Sequence, residues 1–414
     1  MRIVHLARDE KFVPLLRQLF EEAVPGANHW LIARRRRAGP GFVAAAPDVR
    51  FRPEWWFRTP LVARDVARAD VIVAHSMTRI FANAIAHAPA SARVAWKGWG
   101  YDFYPLLEAQ LGDPILPATR ALIGKTAADP TEAVATTPRH WWQRLARNAV
   151  RRPSALELVA ARLHTFSVVP SEAELVRRAL PALKAVHHEM PLFTAEDTFQ
   201  TGPAAMEGTD ILLGNSATAS NNHADAFELL QGRIGKARLV VPLSYGNSAY
   251  AVMVAALGRE KFGEHFDALQ QWMSLADYNE RIRRCGFVVM NHRRQQAVGN
   301  IGAALYKGAT LYLRRDNPLY AFYTDMGITL RPMDTLAQSR GPLEPLTPAQ
   351  RARNRELIGR HYARDRVLRA MRELPALVEA RAQGPANDAS RTLRGTDVSN
   401  GDEAKTPQRR QAPR

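Results

Sequence analysis

In both halves of the chain, short apolar runs alternate with longer helix-forming stretches. The runs are four to six residues long and rich in β-branched or aromatic side chains, which is typical of buried strands. Strand–helix alternation favours a parallel sheet covered by helices on both faces. The first half therefore predicts four strands, at Arg2–Ala7, Asp70–His75, Arg93–Trp96 and Thr165–Pro170.

The second half repeats this pattern. It predicts four strands, at Thr209–Gly214, Arg238–Pro242, Phe287–Met290 and Thr310–Leu313. Helices are expected from about His223, around Tyr250–Leu257, and from a capping box at Ser274–Asp277 to near Cys285. The fold class is therefore α/β, with two doubly wound domains.

The domain limits follow from breaks in the pattern. We expect a first domain over residues 1–195, with a basic elaboration at about 111–155, and a second over 206–383 that includes terminal helices. The charged stretch Thr347–Arg381 is helix-forming, with a break expected at Pro375. Residues 384–414 have almost no apolar side chains and are predicted to be disordered.

The chain carries 57 Lys and Arg against 40 Asp and Glu, a net charge of +17. Such a charge favours an anionic partner: nucleic acid, an anionic membrane face or a phosphorylated substrate. Arginines cluster at Arg34–Arg37 and within His140–Arg152. In the second cluster, a helix would place tryptophan beside arginine, which suits lipid headgroups, although a helix packed on the domain fits equally well. No zinc-finger, RNA-binding or basic-zipper pattern is present, so no nucleic-acid partner is expected.

The compartment follows from three features. The start, MRIVHLARDEKFV, has charges where a signal peptide needs its apolar stretch. A single cysteine, Cys285, excludes an internal disulfide framework. The uncharged run Leu239–Gly258 is interrupted by Pro, Gly and Asn, which favours strand–loop–helix over a membrane span. A cytoplasmic, soluble protein is expected.

Ligands of open α/β sheets bind beyond the carboxyl ends of the strands. Polar, glycine-containing runs follow six predicted strands: His75–Ser76, Trp96–Tyr104, Gly214–Ser216, Ser244–Asn247, Asn291–Asn300 and Arg314–Pro318. Their number across two domains predicts a cleft between the domains.

In the second half, these runs suit a phosphate-bearing ligand. Backbone N–H groups at Gly214–Ser216, and at Gly299–Asn300 before a helix near Ile301, can approach an anion. Arg293 or Arg294 can give a diphosphate two parallel hydrogen bonds. For Asn215 and Ser216, ordinary turn and cap chemistry is the alternative.

In the first half, Asp102 is the leading candidate for a general base. It lies among Trp99, Tyr101 and Tyr104, where burial would raise the pKa of a carboxyl group. The alternative is that Asp102 caps a helix beginning near Phe103. His75 is the rival base, and a purely structural role is the alternative for it.

Several absences restrict the function. The chain has no Asp-x-Asp, which is the metal–diphosphate clamp of one sugar-transferase class. It also lacks the dinucleotide fingerprint, the P-loop, H-E-x-x-H and G-x-S-x-G. These absences disfavour a Rossmann dehydrogenase, an NTPase, a zinc protease and an α/β-hydrolase.

Five motifs resemble glycosyltransferase family 56, the fucosaminyltransferases of enterobacterial common antigen synthesis. They resemble W-x-x-W-G-x-D-x-Y, I-L-V-G-N-S…S-N-E-H, V-V-P-M-G-Y, R-Q-Q-G-I-G and R-E-N-P. In this chain they stand at Trp96–Tyr104, Ile211–Ser216 with Ser220–His223, Val240–Tyr245, Arg294–Gly299 and Arg315–Pro318. The resemblance covers roughly residues 70–105 and 165–330, and Ala297 stands where the family has glycine.

This resemblance implies a GT-B fold: two Rossmann-like domains face a cleft, with the donor on the C-terminal domain and the acceptor on the N-terminal one. It implies transfer of 4-acetamido-4,6-dideoxygalactose from a TDP-linked donor to a disaccharide on undecaprenyl diphosphate. The family inverts the anomeric centre and needs no bound metal, so no cofactor is expected. An acceptor of this kind implies peripheral association with the inner, or plasma, membrane.

The site hypothesis is a single displacement in which Asp102, or else His75, takes the acceptor proton. The predicted acceptor-side residues are Trp96, Trp99, Tyr101 and Tyr104. The predicted donor-binding residues are Gly214, Asn215, Ser216, Tyr245, Asn247, Arg293, Arg294, Gln296, Gly299, Asn300, Asp316 and Asn317. The alternatives are a GT-B enzyme with another nucleotide sugar, or a nonenzymatic basic protein that binds nucleotides or nucleic acid.

Overall fold

A computed structural model describes residues 1–34, 41–124, 153–202, 204–271, 273–338 and 341–382. Within them the strands form two parallel sheets, one of seven strands in the order β3-β2-β1-β4-β5-β6-β7 and one of six in the order β10-β9-β8-β11-β12-β13. The strands are β1 Ile3–Arg8, β2 Asn28–Arg34, β3 Val49–Pro53, β4 Val71–His75, β5 Arg93–Lys97, β6 Thr165–Ser167, β7 Val186–His187, β8 Ile211–Leu213, β9 Leu239–Pro242, β10 Phe266–Leu269, β11 Phe287–Met290, β12 Thr310–Leu313 and β13 Arg331–Pro332.

Helices cover both faces of each sheet, as the doubly wound prediction requires. The α-helices are α1 Val13–Ala23, α2 Ala63–Val66, α3 Arg79–Ala86, α4 Tyr104–Leu111, α5 Pro117–Gly124, α6 Ala155–Val159, α7 Ala173–Ala179, α8 His223–Leu230, α9 Ser248–Phe262, α10 Leu275–Arg283, α11 Val298–Tyr306, α12 Pro318–Asp325, α13 Thr335–Gln338, α14 Pro348–His361 and α15 Arg364–Ala382. The predicted α/β class with two domains is confirmed.

In the first sheet, β1 lies between β2 and β4 and pairs in parallel with both. The predicted strands at β1, β4 and β5 are confirmed. The fourth ends at Ser167 rather than Pro170, because proline has no N–H for a ladder and Pro170 begins a 3-10 turn. The sequence reading missed β2, β3 and β7. Of these, β3 lies at the edge of the sheet with half-exposed residues, so its apolar signal is weak.

In the second sheet, the four predicted strands correspond to β8, β9, β11 and β12, and every residue of these four is buried. The two strands that the prediction missed, β10 and β13, are the edges of this sheet. An edge strand has one paired side and is only partly covered, so its sequence does not read as a continuous apolar run. The register is parallel throughout, so the carboxyl ends of all these strands meet at one edge.

The terminal helix corrects two expectations. α15 continues through Pro375, and the helical stretch is interrupted instead at Tyr362–Ala363, between α14 and α15. Moreover, α15 packs on the first domain, although the prediction placed it in the second. Its buried residues recur at helical spacing and join a cluster with Leu16 and Phe20 of α1; they are Val367, Leu368, Met371, Leu374 and Val378.

A second segment also packs on the domain to which the prediction did not assign it. The segment 111–124, assigned to the first domain, reaches the second and packs on α8. The backbone N–H of Ala118 and Thr119 donate to the Asp225 carboxylate at 2.9 Å, and Leu116 N donates to Asn222 Oδ1 at 2.8 Å. The predicted basic cluster at 140–152, most of the arginine run at 34–37 and the predicted tail at 384–414 lie outside the described residues.

Candidate active site

The strand-end loops of the two domains meet around a cavity of about 350 Å³. Tyr101 and Tyr104 of the first domain line it, as do Ser220, Arg293 and Arg294 of the second. The Gln295 N–H donates to the Tyr104 hydroxyl at 2.6 Å, so the two loops are in direct contact. The predicted cleft between domains is therefore present, and it brings together the aromatic turn of the first half and the arginine turn of the second.

Tyr104 joins the domains beneath this cavity. Its hydroxyl accepts from Gln295 N and donates to Glu172 Oε1 at 2.5 Å, and its side chain is 6% exposed. Burial raises the pKa of Glu172 to about 8, against the lowering effect of the Tyr104 hydrogen bond. Tyr104 thus contributes its ring to the cavity, while its hydroxyl is committed to holding the two domains together.

Asp102 is held by three hydrogen bonds from its surroundings. Its Oδ2 accepts from Met77 N at 2.7 Å and from Trp96 Nε1 at 2.8 Å, and its Oδ1 accepts from Trp99 N at 2.9 Å. Burial raises the pKa of the carboxyl group, and these hydrogen bonds oppose the rise. The alternative of a helix cap is wrong, since α4 begins without a side-chain cap. The base role of Asp102 stays a prediction.

His75 lies in the interior of the first domain rather than in the cavity. It is 2% exposed, its Nε2 lies 3.0 Å from His5 Nδ1, and its ring stacks on Trp30. Burial, together with the charges of His5 and Lys97, lowers the pKa of His75 well below its ordinary value. A side chain enclosed in this way does not meet an acceptor in the cavity, which corrects its prediction as the rival base.

The four predicted acceptor-side aromatics divide by burial. Tyr101 is 46% exposed and lines the cavity, as does the ring of Tyr104. Trp96 is fully buried and donates its indole N–H to Asp102, so its prediction as an acceptor contact is wrong. Trp99 is half-buried and packs edge-on against Phe12 at a ring distance of 5.9 Å, outside the cavity lining.

In the second domain, Asn221 organises the loop after β8. Its Oδ1 accepts from Asn215 N at 3.0 Å and from His292 Nε2 at 2.8 Å. Gly214 has φ 68°, in the left-handed region, and a Cβ there would lie 2.6 Å from Asn221 Oδ1. Glycine is therefore required where the loop passes the Asn221 side chain. Asn221 itself was missed, since an Asn within a loop reads as ordinary turn chemistry.

The loop after β8 is also tied to the arginine turn. Gln296 Nε2 donates to Asn215 Oδ1 at 3.0 Å, and Ser220 Oγ donates to Gln296 Oε1 at 2.7 Å. Ser216 is 3% exposed and pairs with Thr218, so its side chain serves the turn itself. The structure thus brings Gly214, Asn215, Ser216 and Gln296 into one hydrogen-bonded edge, which reaches the cavity through Ser220. The four predicted residues themselves are not in the cavity lining.

The two predicted arginines differ in their pairing. Asp316 accepts from Arg293 Nε at 3.0 Å and from Arg314 at 2.8 and 2.9 Å, so it orders both guanidinium groups. Arg294 lies 5.8 Å from the centre of the Tyr104 ring, and among the described residues no carboxylate pairs with it. Burial lowers the pKa of Arg294, which means that its charge is poorly solvated. Arg294 is therefore suited to an anionic ligand.

Two predicted donor contacts are helix caps. Asn317 is 1% exposed; its Oδ1 accepts from Leu319 N, and its amide donates to the carbonyls of His292 and Arg294. Asn247 caps α9 by accepting from Tyr250 N at 2.9 Å. The buried Asn317 acts by fixing the arginine turn, which corrects its prediction as a direct contact.

Gly299 and Asn300 lie outside the cavity lining. The helix begins at Val298 rather than near Ile301, so both residues belong to its first turn. Gly299 lies against Phe193, and Asn300 is exposed. Ala297 adopts φ 59° at the start of this helix, a left-handed conformation that glycine adopts without strain. That geometry gives a physical reason for the glycine in the family motif.

Tyr245 is 75% exposed in the middle of the loop after β9. The ammonium group of Lys11, from the loop after β1, lies 5.7 Å from the centre of its ring. Tyr245 thus faces the first domain, beside the mouth of the cleft.

Three further charged residues were missed by the sequence reading. Lys97, Glu172 and Glu189 line a smaller cavity of about 70 Å³ between the domains. Burial lowers the pKa of Lys97 to about 7. Lys97 stands inside the aromatic motif at the end of β5, so its position in the sequence was the available signal.

Two searches of the described residues gave negative results. No group of three or more His, Cys, Asp or Glu side chains there could hold a metal ion. Nor does any helix in the described part of the chain have the length and apolar content for crossing a bilayer.

Comparison with solved structures shows the fold. HepE of Anabaena in complex with UDP-glucose superposes with a TM-score of 0.55 at 9% identity, over 91% of this chain and all of that one. A UDP-forming α,α-trehalose-phosphate synthase from Burkholderia vietnamiensis gives 0.53 at 11% identity, over 92% of this chain and 98% of its own. The N-terminal domain of Candida albicans trehalose-6-phosphate phosphatase gives 0.59 at 8% identity, over 92% and 97%. The GT-B fold expected from the sequence is confirmed.

Residues 170–338 match the sequence family described as 4-alpha-L-fucosyltransferase, glycosyl transferase group 56. Together with the GT-B fold, this match decides the enzyme class. The chain is a glycosyltransferase. The matched range contains the motifs from Ile211 to Pro318 that resembled family 56, and it leaves the Trp96–Tyr104 motif outside.

Proposed function

We propose that this glycosyltransferase moves a 4-acetamido-4,6-dideoxyhexose from a TDP-sugar to an oligosaccharide carried on undecaprenyl diphosphate. The group 56 match supports the reaction class, and the family resemblance supports the sugar and the acceptor. The observation that carries the proposal is Arg294, which lines the cavity between the domains and has no carboxylate partner among the described residues.

A poorly solvated guanidinium group without a carboxylate gains most from a bound anion. The diphosphate of a nucleotide sugar supplies such an anion, and the planar guanidinium group of arginine can donate two parallel hydrogen bonds to its oxygens. Arg293 stands next to Arg294, ordered by Asp316, and can share the charge. HepE was solved with UDP and with UDP-glucose, which supports a nucleotide-sugar donor in a cleft of this fold.

The reaction is a single displacement at the anomeric carbon. The acceptor oxygen forms the new bond to this carbon as its proton passes to a carboxylate of the first domain. The bond from the anomeric carbon to the diphosphate oxygen breaks, and TDP leaves with the electron pair. Arg294 and Arg293 stabilise the charge that develops on the leaving diphosphate, and donors placed in advance typically supply about 3 kcal/mol each. No bound metal takes part in this scheme.

The acceptor brings the protein to a membrane. The net charge of +17 favours an anionic surface, and each basic residue near such a surface adds about 1 kcal/mol. On the first domain Trp55 and Phe42 are 57% and 55% exposed, and large aromatic side chains of this kind suit a lipid interface. We expect peripheral binding to the inner membrane through this domain, on its cytoplasmic side.

Vesicle sedimentation tests this association. The protein should co-sediment with vesicles containing anionic phosphatidylglycerol at low salt, and added salt should release it. The double variant Trp55→Ser with Phe42→Ser should weaken the binding, whereas an exposed residue of the second domain, Val252→Ser, should not. Equal binding to neutral vesicles, or none to anionic ones, would contradict peripheral association.

Transfer itself is tested by mass spectrometry of the acceptor lipid. Incubation with TDP-4-acetamido-4,6-dideoxygalactose and the lipid-linked disaccharide should add one sugar and release TDP. UDP-glucose serves as the alternative donor in the same assay. Transfer from UDP-glucose alone would agree with a glycosyltransferase but contradict the proposed TDP-sugar donor.

A further inference from the structure

The cavity between the domains has two walls of different chemistry. The first domain supplies one face of α4, on which Tyr104, Glu108 and Leu111 recur at helical spacing. The second domain supplies Arg293 and Arg294 together with the loop after β8. Among the described residues that line this cavity, Glu108 is the one carboxylate. An acidic side chain and two cationic ones thus border the same space from different domains.

Three other carboxylates close to the cleft lie outside this lining and have fixed partners. Asp102 accepts from two backbone N–H groups and one indole. Glu172 accepts from the Tyr104 hydroxyl and lines the smaller cavity. Asp316 accepts from two guanidinium groups. Glu108 differs from all three: it is exposed, and within the described part of the chain its carboxylate has no ion pair or hydrogen bond.

Both ends of α4 are attached to the arginine turn of the second domain. At the start of the helix, the Tyr104 hydroxyl accepts from Gln295 N at 2.6 Å. Just past its end, the carbonyl of Asp113 accepts from a terminal nitrogen of Arg293 at 2.8 Å. Glu108 lies midway between these contacts, about 6 Å along the helix from Tyr104, since each residue of an α-helix rises about 1.5 Å. The helix therefore holds Glu108 alongside the arginine turn.

The backbone of Glu108 is fixed locally as well. Its carbonyl accepts from Gly112 N at 2.8 Å, and Gly112 ends the helix with φ 72°, in the left-handed region. The segment that follows is hydrogen-bonded to the second domain through Leu116 N and the Asn222 side chain. A glutamate whose backbone is held in this way, and whose carboxylate faces substrate rather than a partner side chain, is suited to proton transfer.

We propose that Glu108 is the general base and takes the proton of the acceptor hydroxyl. This inference rests on the proposed transferase function. The O–H bond of the acceptor breaks as its oxygen bonds to the anomeric carbon, and the proton ends on a Glu108 carboxylate oxygen. The bond from that carbon to the diphosphate breaks, and TDP leaves with the electron pair toward Arg294. Base and leaving group then belong to different walls, and an inverting displacement needs them on opposite faces of the sugar.

The experiment compares Glu108→Gln and Glu108→Asp with the control Glu228→Gln, which makes the same chemical change at an exposed carboxylate of α8 outside the cavity lining. Single turnovers are followed with the TDP-sugar and the lipid-linked disaccharide, and TDP binding is measured by calorimetry. We expect E108Q to slow transfer by about a hundredfold or more, with its TDP affinity and the E228Q turnover within about twofold of wild type.

The aspartate variant separates a base from a binding contact. A base needs a carboxylate, so E108D should transfer at least about tenfold faster than E108Q. A side chain that only accepts a hydrogen bond from substrate is replaced better by glutamine, which has the same length, so E108Q would then be the faster variant. That result, or an E108Q rate within about fivefold of wild type, overturns the inference and leaves the transferase function standing. A wild-type protein that transfers no sugar from the TDP donor overturns the proposed function, and the inference with it.

Discussion

At the scale of single residues, the environment of a side chain decides its role more than its type does. Asp102 was singled out because it stands among aromatic residues. The structure adds that its oxygens accept from Met77 N, Trp96 Nε1 and Trp99 N, so it braces the loops after β4 and β5. Sequence alone predicts a buried carboxylate there, but not which donors come from elsewhere in the chain.

Asp102→Asn should therefore destabilise the protein. Asparagine has one oxygen where aspartate has two, and its amide would face an N–H group, which leaves a buried donor without an acceptor. Such a loss costs about 2 kcal/mol in the free energy of unfolding, measured by urea denaturation. Asp325→Asn, at an exposed position, is the control. Unchanged stability in D102N, with turnover abolished, would instead support the base role predicted from the sequence.

At the scale of elements, the turns after β8 and β11 depend on one another. Asn221 accepts from both, and Gln296 connects them through Asn215 and Ser220. Each turn was predicted as an anion-binding loop in its own right. The hydrogen bonds show that they form a single edge, which follows from β8 and β11 being neighbours in the sheet.

Gly214→Ala tests this edge. The substitution puts a side chain at φ 68° and drives its Cβ to 2.6 Å from Asn221 Oδ1. The left-handed conformation alone costs about 1–2 kcal/mol, and displacing Asn221 adds to this. Urea denaturation should show the loss, and calorimetry should show weaker TDP binding. Gly341→Ala, where a Cβ has no neighbour within 4 Å, should change neither.

We expect the stability of the fold to depend on pH through Glu189, which follows β7 and contacts the terminal helices. Burial acts to raise the pKa of Glu189, but His361 at 3.0 Å and Arg366 at 2.8 Å outweigh it and lower that pKa to about 2. A carboxyl group with a lowered pKa stabilises the fold fully above its unfolded pKa of about 4.5 and loses this effect as the pH falls toward 2.

Ionised Glu189 contributes about 2 kcal/mol to the free energy of unfolding once the partial exposure of Arg366 is allowed for. Urea denaturation between pH 5 and pH 2 should show it in the wild-type protein. In Glu189→Gln the unfolding free energy should already be lower at pH 5, and less of it should be lost on acidification. An identical pH profile in both proteins would contradict this role for Glu189.

At the scale of the whole molecule, most central strands were predictable and the edge strands were not, although the largely buried β2 was also missed. Central strands such as β8 and β11 read as continuous apolar runs, whereas the edge strands β3, β10 and β13 did not. A continuous apolar run does not show which way the side chain at its end points. His75 was therefore predicted to face a ligand, although it faces the core. The contact of Tyr101 with Glu10 spans 91 residues, and no local pattern predicts it.

The most direct test of the account is calorimetric titration with TDP, since the central claim is that Arg294 holds a nucleotide diphosphate between the two domains. Wild-type protein should bind TDP more tightly than a short oligonucleotide. Arg294→Met should weaken TDP binding by about tenfold or more, and Arg259→Met, an exposed site on α9, should not. Oligonucleotide binding without TDP binding, or full TDP affinity in R294M, would contradict the claim.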